Sequence, residues 1–91
     1  PIRNNRLQLG TRDMKLVSVE KKDGKIYIKG QGINRYTRLF ISGEEVEIYF
    51  VDDKTLLVKE PNFRGKKIVY LENMDCDEKP IYRSNTLVYK F

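Results

Sequence analysis

The 91-residue chain has no histidine, no tryptophan, one cysteine and nowhere a run of 18 apolar residues. Each absence removes a class of chemistry. Without histidine, neither a Ser-His-Asp nor a Cys-His nucleophile can be assembled, and the commonest general base at neutral pH is missing. Cys76 alone falls short of the three or four nitrogen and sulfur ligands that zinc takes, and it cannot close an internal disulfide. A lone thiol leaves the redox compartment open. Without a long apolar run the chain is not expected to insert directly into a membrane as a helix, and no secretory-signal pattern opens it. Glycine-rich phosphate loops are missing as well. Gly30-Gln31-Gly32 lacks a third glycine at the required spacing and a helix to follow it, so it reads as a bulged strand end.

What is present is β-type. An apolar fraction of 40% with six tyrosines and four phenylalanines argues for a folded globular domain, and the length suits one domain with a single modest core. The first residue is Pro1, which reads as a processed product or a piece of something longer. No window of helical periodicity survives without a Gly, Pro or Asp-Gly break. Short runs stand out instead: Met14 to Glu20, Lys25 to Gly30, Thr37 to Ser42, Glu45 to Val51, Thr55 to Lys59, Lys66 to Glu72 and Thr86 to Phe91. Asp23-Gly24 between the first two is a strong hairpin signal, because a type I′ turn needs positive φ at both central positions. A second hairpin is expected around a turn at Gly43-Glu44. Pro61 and Gly65 mark residues 60–65 as a connection.

Seven short strands separated mostly by short gaps predict an all-β fold, an antiparallel sandwich or small barrel; parallel pairing would need long crossovers. Residues 1–13 are polar and read as an N-terminal arm or linker, with Leu7 and Leu9 as a potential edge strand; the domain itself is expected over residues 14–91.

The order of these signals resembles a known family. Ile28-Lys29-Gly30-Gln31-Gly32-Ile33 is similar to the I-x-G-x-N/G-F signature of IPT/TIG domains, with Ile33 where the family often carries an aromatic. Leu39 to Gly43, Thr55-Leu56-Leu57-Val58, Pro61 and the closing Ser84 to Phe91 resemble later parts of the same pattern, so the likeness spans residues 14–91. It implies a seven-stranded antiparallel immunoglobulin-like β-sandwich of the early-set type. It also implies a non-catalytic accessory module, such as those in bacterial surface proteins, carbohydrate-processing enzymes and cell-surface receptors; a branch in Rel-type transcription factors dimerises and touches DNA. An exported or cell-surface location is implied by the resemblance alone, and fold does not choose among these roles.

Candidate sites are few. The net charge of +5 is divided between the arm, at +2, and the remaining residues, at +3, and no run of five like charges occurs. Lys21-Lys22 and Arg64 with Lys66-Lys67 read as solvated charge at turns. Asp52, Asp53, Asp75, Asp77 and Glu78 could share one rim if strands alternate in direction. Solvated turn residues are the plainer reading than a calcium site, so no cofactor, metal or catalytic residue is expected.

Several strands are apolar on both faces, which a two-sheet sandwich does not need. Tyr27, Phe40, Tyr49 and Tyr70 are therefore candidates for an apolar docking face, met by a neighbouring domain or another protein rather than by the short arm. Arg35, Tyr36, Arg38, Tyr82 and Arg83 form a second candidate, an interaction surface on loops, because tyrosine and arginine dominate interface anchors and suit stacking on sugars. The loop from Asn73 to Asn85 is expected to be long. A spacer, docking or protein-interaction module is the leading expectation, carbohydrate binding the alternative and nucleic acid the least supported partner.

Overall fold

A computed structural model of the chain describes residues 14–75, 77 and 79–91. The arm, Cys76 and Glu78 lie outside the described residues, and with them the potential edge strand at Leu7 and Leu9. The described residues form nine strands: β1 (Lys15–Lys22), β2 (Lys25–Gln31), β3 (Thr37–Ile41), β4 (Glu44–Val46), β5 (Ile48–Asp52), β6 (Thr55–Val58), β7 (Lys66–Met74), β8 (Pro80–Arg83) and β9 (Leu87–Lys90).

Every pairing is antiparallel. One sheet runs β1-β2-β6-β5 and the other runs β4-β3-β7, with β9 along the first half of β7 and β8 along its second half. Alternation decides which side chains meet between them, since successive residues of a strand point to opposite faces. Leu16, Val19, Ile26, Ile28, Leu56 and Val58 of the first sheet form one buried cluster with Leu39, Ile41, Val69 and Leu71 of the second, closed by Met14 and Ile33. Each such side chain contributes roughly 1.5–3 kcal/mol by leaving water. The fold is all-β, two packed antiparallel sheets consistent with a sandwich.

Asp23-Gly24 makes the expected turn, with φ of 53° and 77° between the paired Lys22 and Lys25. The second hairpin turns one residue earlier than expected. Ser42 and Gly43 take φ of 55° and 80°, and Ile41 pairs with Glu44, so the turn is Ser42-Gly43 rather than Gly43-Glu44. Glu45 to Val51 is not one strand either. It divides at Glu47: β4 extends the second sheet, the chain crosses over, and β5 borders β6 in the first, where the Glu47 carbonyl accepts the Lys59 amide at 3.1 Å. The long loop expected between Asn73 and Asn85 is also largely strand. β7 continues to Met74 and β8 returns from Pro80, leaving a short turn capped by the Asp75 carboxylate. These two changes raise the strands from seven to nine.

The loops at 32–36 and 53–54 share one end of the sandwich with Asp75 and Lys79, tied by Ile33 N to Asp53 O at 3.2 Å and by Met74 N to Tyr36 O at 3.0 Å. Lys15 pairs with Gln31 at this end, whereas Lys66 pairs with Lys90 at the other, so the described chain begins and finishes at opposite ends. The body measures 47 × 22 × 20 Å.

Among the described residues all four sheet borders are irregular. β1 bulges at Val17 and β5 at Val51; β4 has three residues, two of them glutamate, and the β8 and β9 border opens with Pro80 and breaks between Arg83 and Leu87.

Candidate interaction faces

Strand alternation that sends Ile26, Ile28 and Leu56 inward turns Tyr27 and Leu57 outward on the first sheet. The register then places Tyr27, Leu57 and Tyr49 in one row across β2, β6 and β5. Tyr49 is 55% exposed, and the Lys59 ammonium sits 4.8 Å from its ring centroid; Lys29 lies 5.8 Å from the Tyr27 ring. Cations over ring faces add about 0.5–1 kcal/mol at exposed sites, and here they hold the aromatic row in place with their charge on the surface.

On the second sheet Leu39, Ile41, Val69 and Leu71 point inward, so Phe40 and Tyr70 point out. They are cross-strand partners whose rings stack at 5.2 Å with 5° between planes. Arg83 covers the same Tyr70 ring at 4.4 Å and gives a 2.7 Å ion pair to Glu72. The hydrogen bond to Glu72 raises the Arg83 guanidinium above its ordinary value, with desolvation opposing. Next to the stack, Ile68 and Val88 are opposite each other and exposed by 52% and 67%.

The four aromatic residues expected to make one docking face therefore lie on two. Tyr27 and Tyr49 belong to the outside of the first sheet, Phe40 and Tyr70 to the outside of the second. Sequence reading missed Leu57, Ile68 and Val88. The available signal was the continuity of Ile68-Val69-Tyr70-Leu71 and Leu87-Val88-Tyr89, which puts apolar side chains on both faces of β7 and β9.

The loop candidates separate too. Arg35 packs its guanidinium 5.2 Å from the Phe50 ring, and Tyr36 is 39% exposed in a turn that the Asn34 side chain caps by accepting the Tyr36 amide at 2.7 Å. Both remain at the loop end. Arg38 and Arg83 are on strands instead, flanking Glu72 in register, and Arg38 pairs with Glu45 at 2.9 Å. Tyr82 packs against the core, because its partner in register is the buried Asn73 and not a loop residue.

The acidic rim is occupied with turn chemistry. Asp52 accepts the Lys54 amide at 2.8 Å, and Asp75 accepts the amides of Asp77 and Lys79 at 2.8 and 2.9 Å. Among the described residues no three His, Cys, Asp or Glu side chains are grouped to hold a metal ion. Nor does any buried side-chain nitrogen or oxygen among them lack a hydrogen-bond partner. No protein-family model matches the chain, and no curated protein and no solved structure is significantly similar to it.

Proposed function

We propose that this chain is a non-catalytic immunoglobulin-like module of the IPT/TIG type, a spacer and docking unit of a larger exported protein. The observation that carries the reading is the pair of outward faces, with Tyr27, Leu57 and Tyr49 in register on one sheet and the stacked Phe40 and Tyr70 on the other, which give neighbours two places to dock. The strand order supports it: β1-β2-β6-β5 faces β4-β3-β7, with β8 and β9 sharing one border of β7, an arrangement compatible with the two sheets of an immunoglobulin-like sandwich if β8 and β9 count as one broken strand and β4 as an addition. Two outward aromatic rows supply the surfaces for neighbours.

Carbohydrate stacking on the loop tyrosines is the second reading, with Tyr36 on a loop and Tyr82 on β8, partly buried against the core.

A photo-crosslinking residue placed in the parent protein at Tyr49 or Tyr70, with Lys54 as the control position, tests the docking role. Adducts to one neighbouring segment or protein from position 49 or 70, and none from position 54, are expected. Equal yields at all three positions count against it. So does a chemical turnover by the isolated chain that is lost on changing Asp52 or Asp75.

A further inference from the structure

We propose that the end of the sandwich where β9 finishes binds a linear sugar polymer bearing sulfate or carboxylate groups, a function beyond the spacer and docking reading. Basic residues from separate parts of the chain meet there. Lys21, Lys22 and Lys25 come from the β1–β2 hairpin, Arg64 from the connection before β7, Lys66 and Lys67 from the start of β7, and Lys90 from the end of β9. Contacts and register hold them together. Lys21 and Arg64 line one open groove with Pro61, Asn62, Phe63 and Phe91, and the Phe91 amide bonds the Gly65 carbonyl at 2.9 Å.

Two observations make this more than solvated charge. Lys66 stands directly opposite Lys90, and Lys22 opposite Lys25. Like charges in such positions destabilise an antiparallel pair, and here two pairs occupy the same end. No ion pair joins any of the seven cations to a described residue. Glu20 and Asp23 are the carboxylates of the same hairpin and Glu60 that of the connection, so the group retains +4. A field concentrated in this way attracts polyanions.

The shape and residue types select among polyanions. Lys21 and Arg64 open on a groove rather than on a flat surface with projecting apolar side chains, which does not suit a bilayer. Phe63, Tyr89 and Phe91 pack on the core and on one another, at 5.5 Å for Phe63 with Phe91 and 4.8 Å for Tyr89 with Phe91. Phe63 and Phe91 border the groove, but each ring is already packed against another aromatic ring, whereas single-stranded nucleic acid relies on free ring faces for its bases. Six of the seven cations are lysines, point charges that accept an anion from many directions; arginine forks are preferred for nucleic acid. Beyond Phe63 the charge reverses. Glu44, Glu45, Glu47 and Glu60 line a second groove with Phe63 as the shared wall, and they confine the polymer to the β1 and β9 side.

Heparin is the probe, offered to the 91-residue chain beside oligothymidylate and phosphatidylglycerol vesicles. Expected are retention of heparin at low salt that fades steeply as salt rises, and a higher Tm in its presence. Lys66→Glu with Lys90→Glu should weaken binding by about tenfold or more, as should Lys22→Glu with Lys25→Glu, each with an unchanged circular dichroism spectrum. Lys54→Glu with Lys79→Glu, at the opposite end, should leave it intact. Absence of heparin binding at low salt overturns the proposal. Equal weakening by the opposite-end variant does the same, as does tighter binding of oligothymidylate or of the vesicles.

Discussion

The side-chain amide of Asn85 bonds both backbone groups of Leu16. The Leu16 amide donates to Oδ1 at 2.9 Å, and Nδ2 donates to the Leu16 carbonyl at 3.0 Å. A carboxamide has the donor and acceptor of a peptide group, so Asn85 serves β1 as one residue of a missing neighbouring strand would. It does so from the break between β8 and β9, and thereby latches one sheet to the other. Ser84 secures the same break: its hydroxyl accepts the Leu71 amide at 2.9 Å, and its own amide donates to the Leu71 carbonyl at 2.8 Å.

Asn85→Ala should therefore lower unfolding stability by about 1–3 kcal/mol, because Leu16 is buried and its two backbone groups would be left without partners. Thr86→Ala, at an exposed neighbour, should change stability by less than about 0.5 kcal/mol. Urea denaturation of the two variants makes the comparison; equal effects would show that the latch contributes nothing.

Burial separates residues that look alike in sequence. Leu56→Ala should cost about 2–5 kcal/mol, since the side chain is fully enclosed and leaves a cavity. Ile68→Thr and Val88→Thr should each stay within about 0.5 kcal/mol of the parent, being on the open face of the second sheet. A large loss for either threonine variant in chemical denaturation would place that residue inside the sandwich.

Two backbone positions should respond in opposite directions. A Cβ at Gly30 would sit 2.5 Å from the Lys15 carbonyl oxygen, so Gly30→Ala forces β1 and β2 apart at a cost of about 1–3 kcal/mol. Ser42→Asn, which creates an Asn-Gly pair where φ is already positive, should stabilise by about 0.5–1 kcal/mol. Melting temperatures of the pair test both signs.

Tyr70 lies between Phe40 and Arg83, and each contact can be isolated by a double-mutant cycle to Ala. The Phe40–Tyr70 stack should couple by about 0.5–1.5 kcal/mol. The half-exposed Arg83 should couple to Tyr70 by about 0.5–1 kcal/mol. Zero coupling between the rings would mean that they do not stack in solution.

The parts of the fold readable from sequence were those with local causes. Asp23-Gly24 signalled its turn because few other pairs tolerate two positive φ values, and the runs flanking it alternate around Ile26 and Ile28, whereas Leu39-Phe40-Ile41 is apolar throughout and carries no mark of its core side. The division at Glu47 was not readable, since an apolar run carries no mark of where a chain leaves one sheet for another. Asn73 and Pro80 suggested a loop by their residue types. In the structure Asn73 is buried and accepts a hydrogen bond from the Thr37 hydroxyl, and Pro80 opens a border strand, a position compatible with its missing amide hydrogen. The two aromatic rows and the lysine-rich end depend on register between distant strands, which no local pattern encodes.

Among the described residues, the bulges at Val17 and Val51, the short β4 with its glutamates and the interrupted β8 and β9 border leave no straight ladder of free amides and carbonyls on which another copy could extend a sheet. Copies held close together in tandem, or crowded on one surface, thus resist growing into fibrils even though β5 exposes tyrosine, phenylalanine and valine in succession.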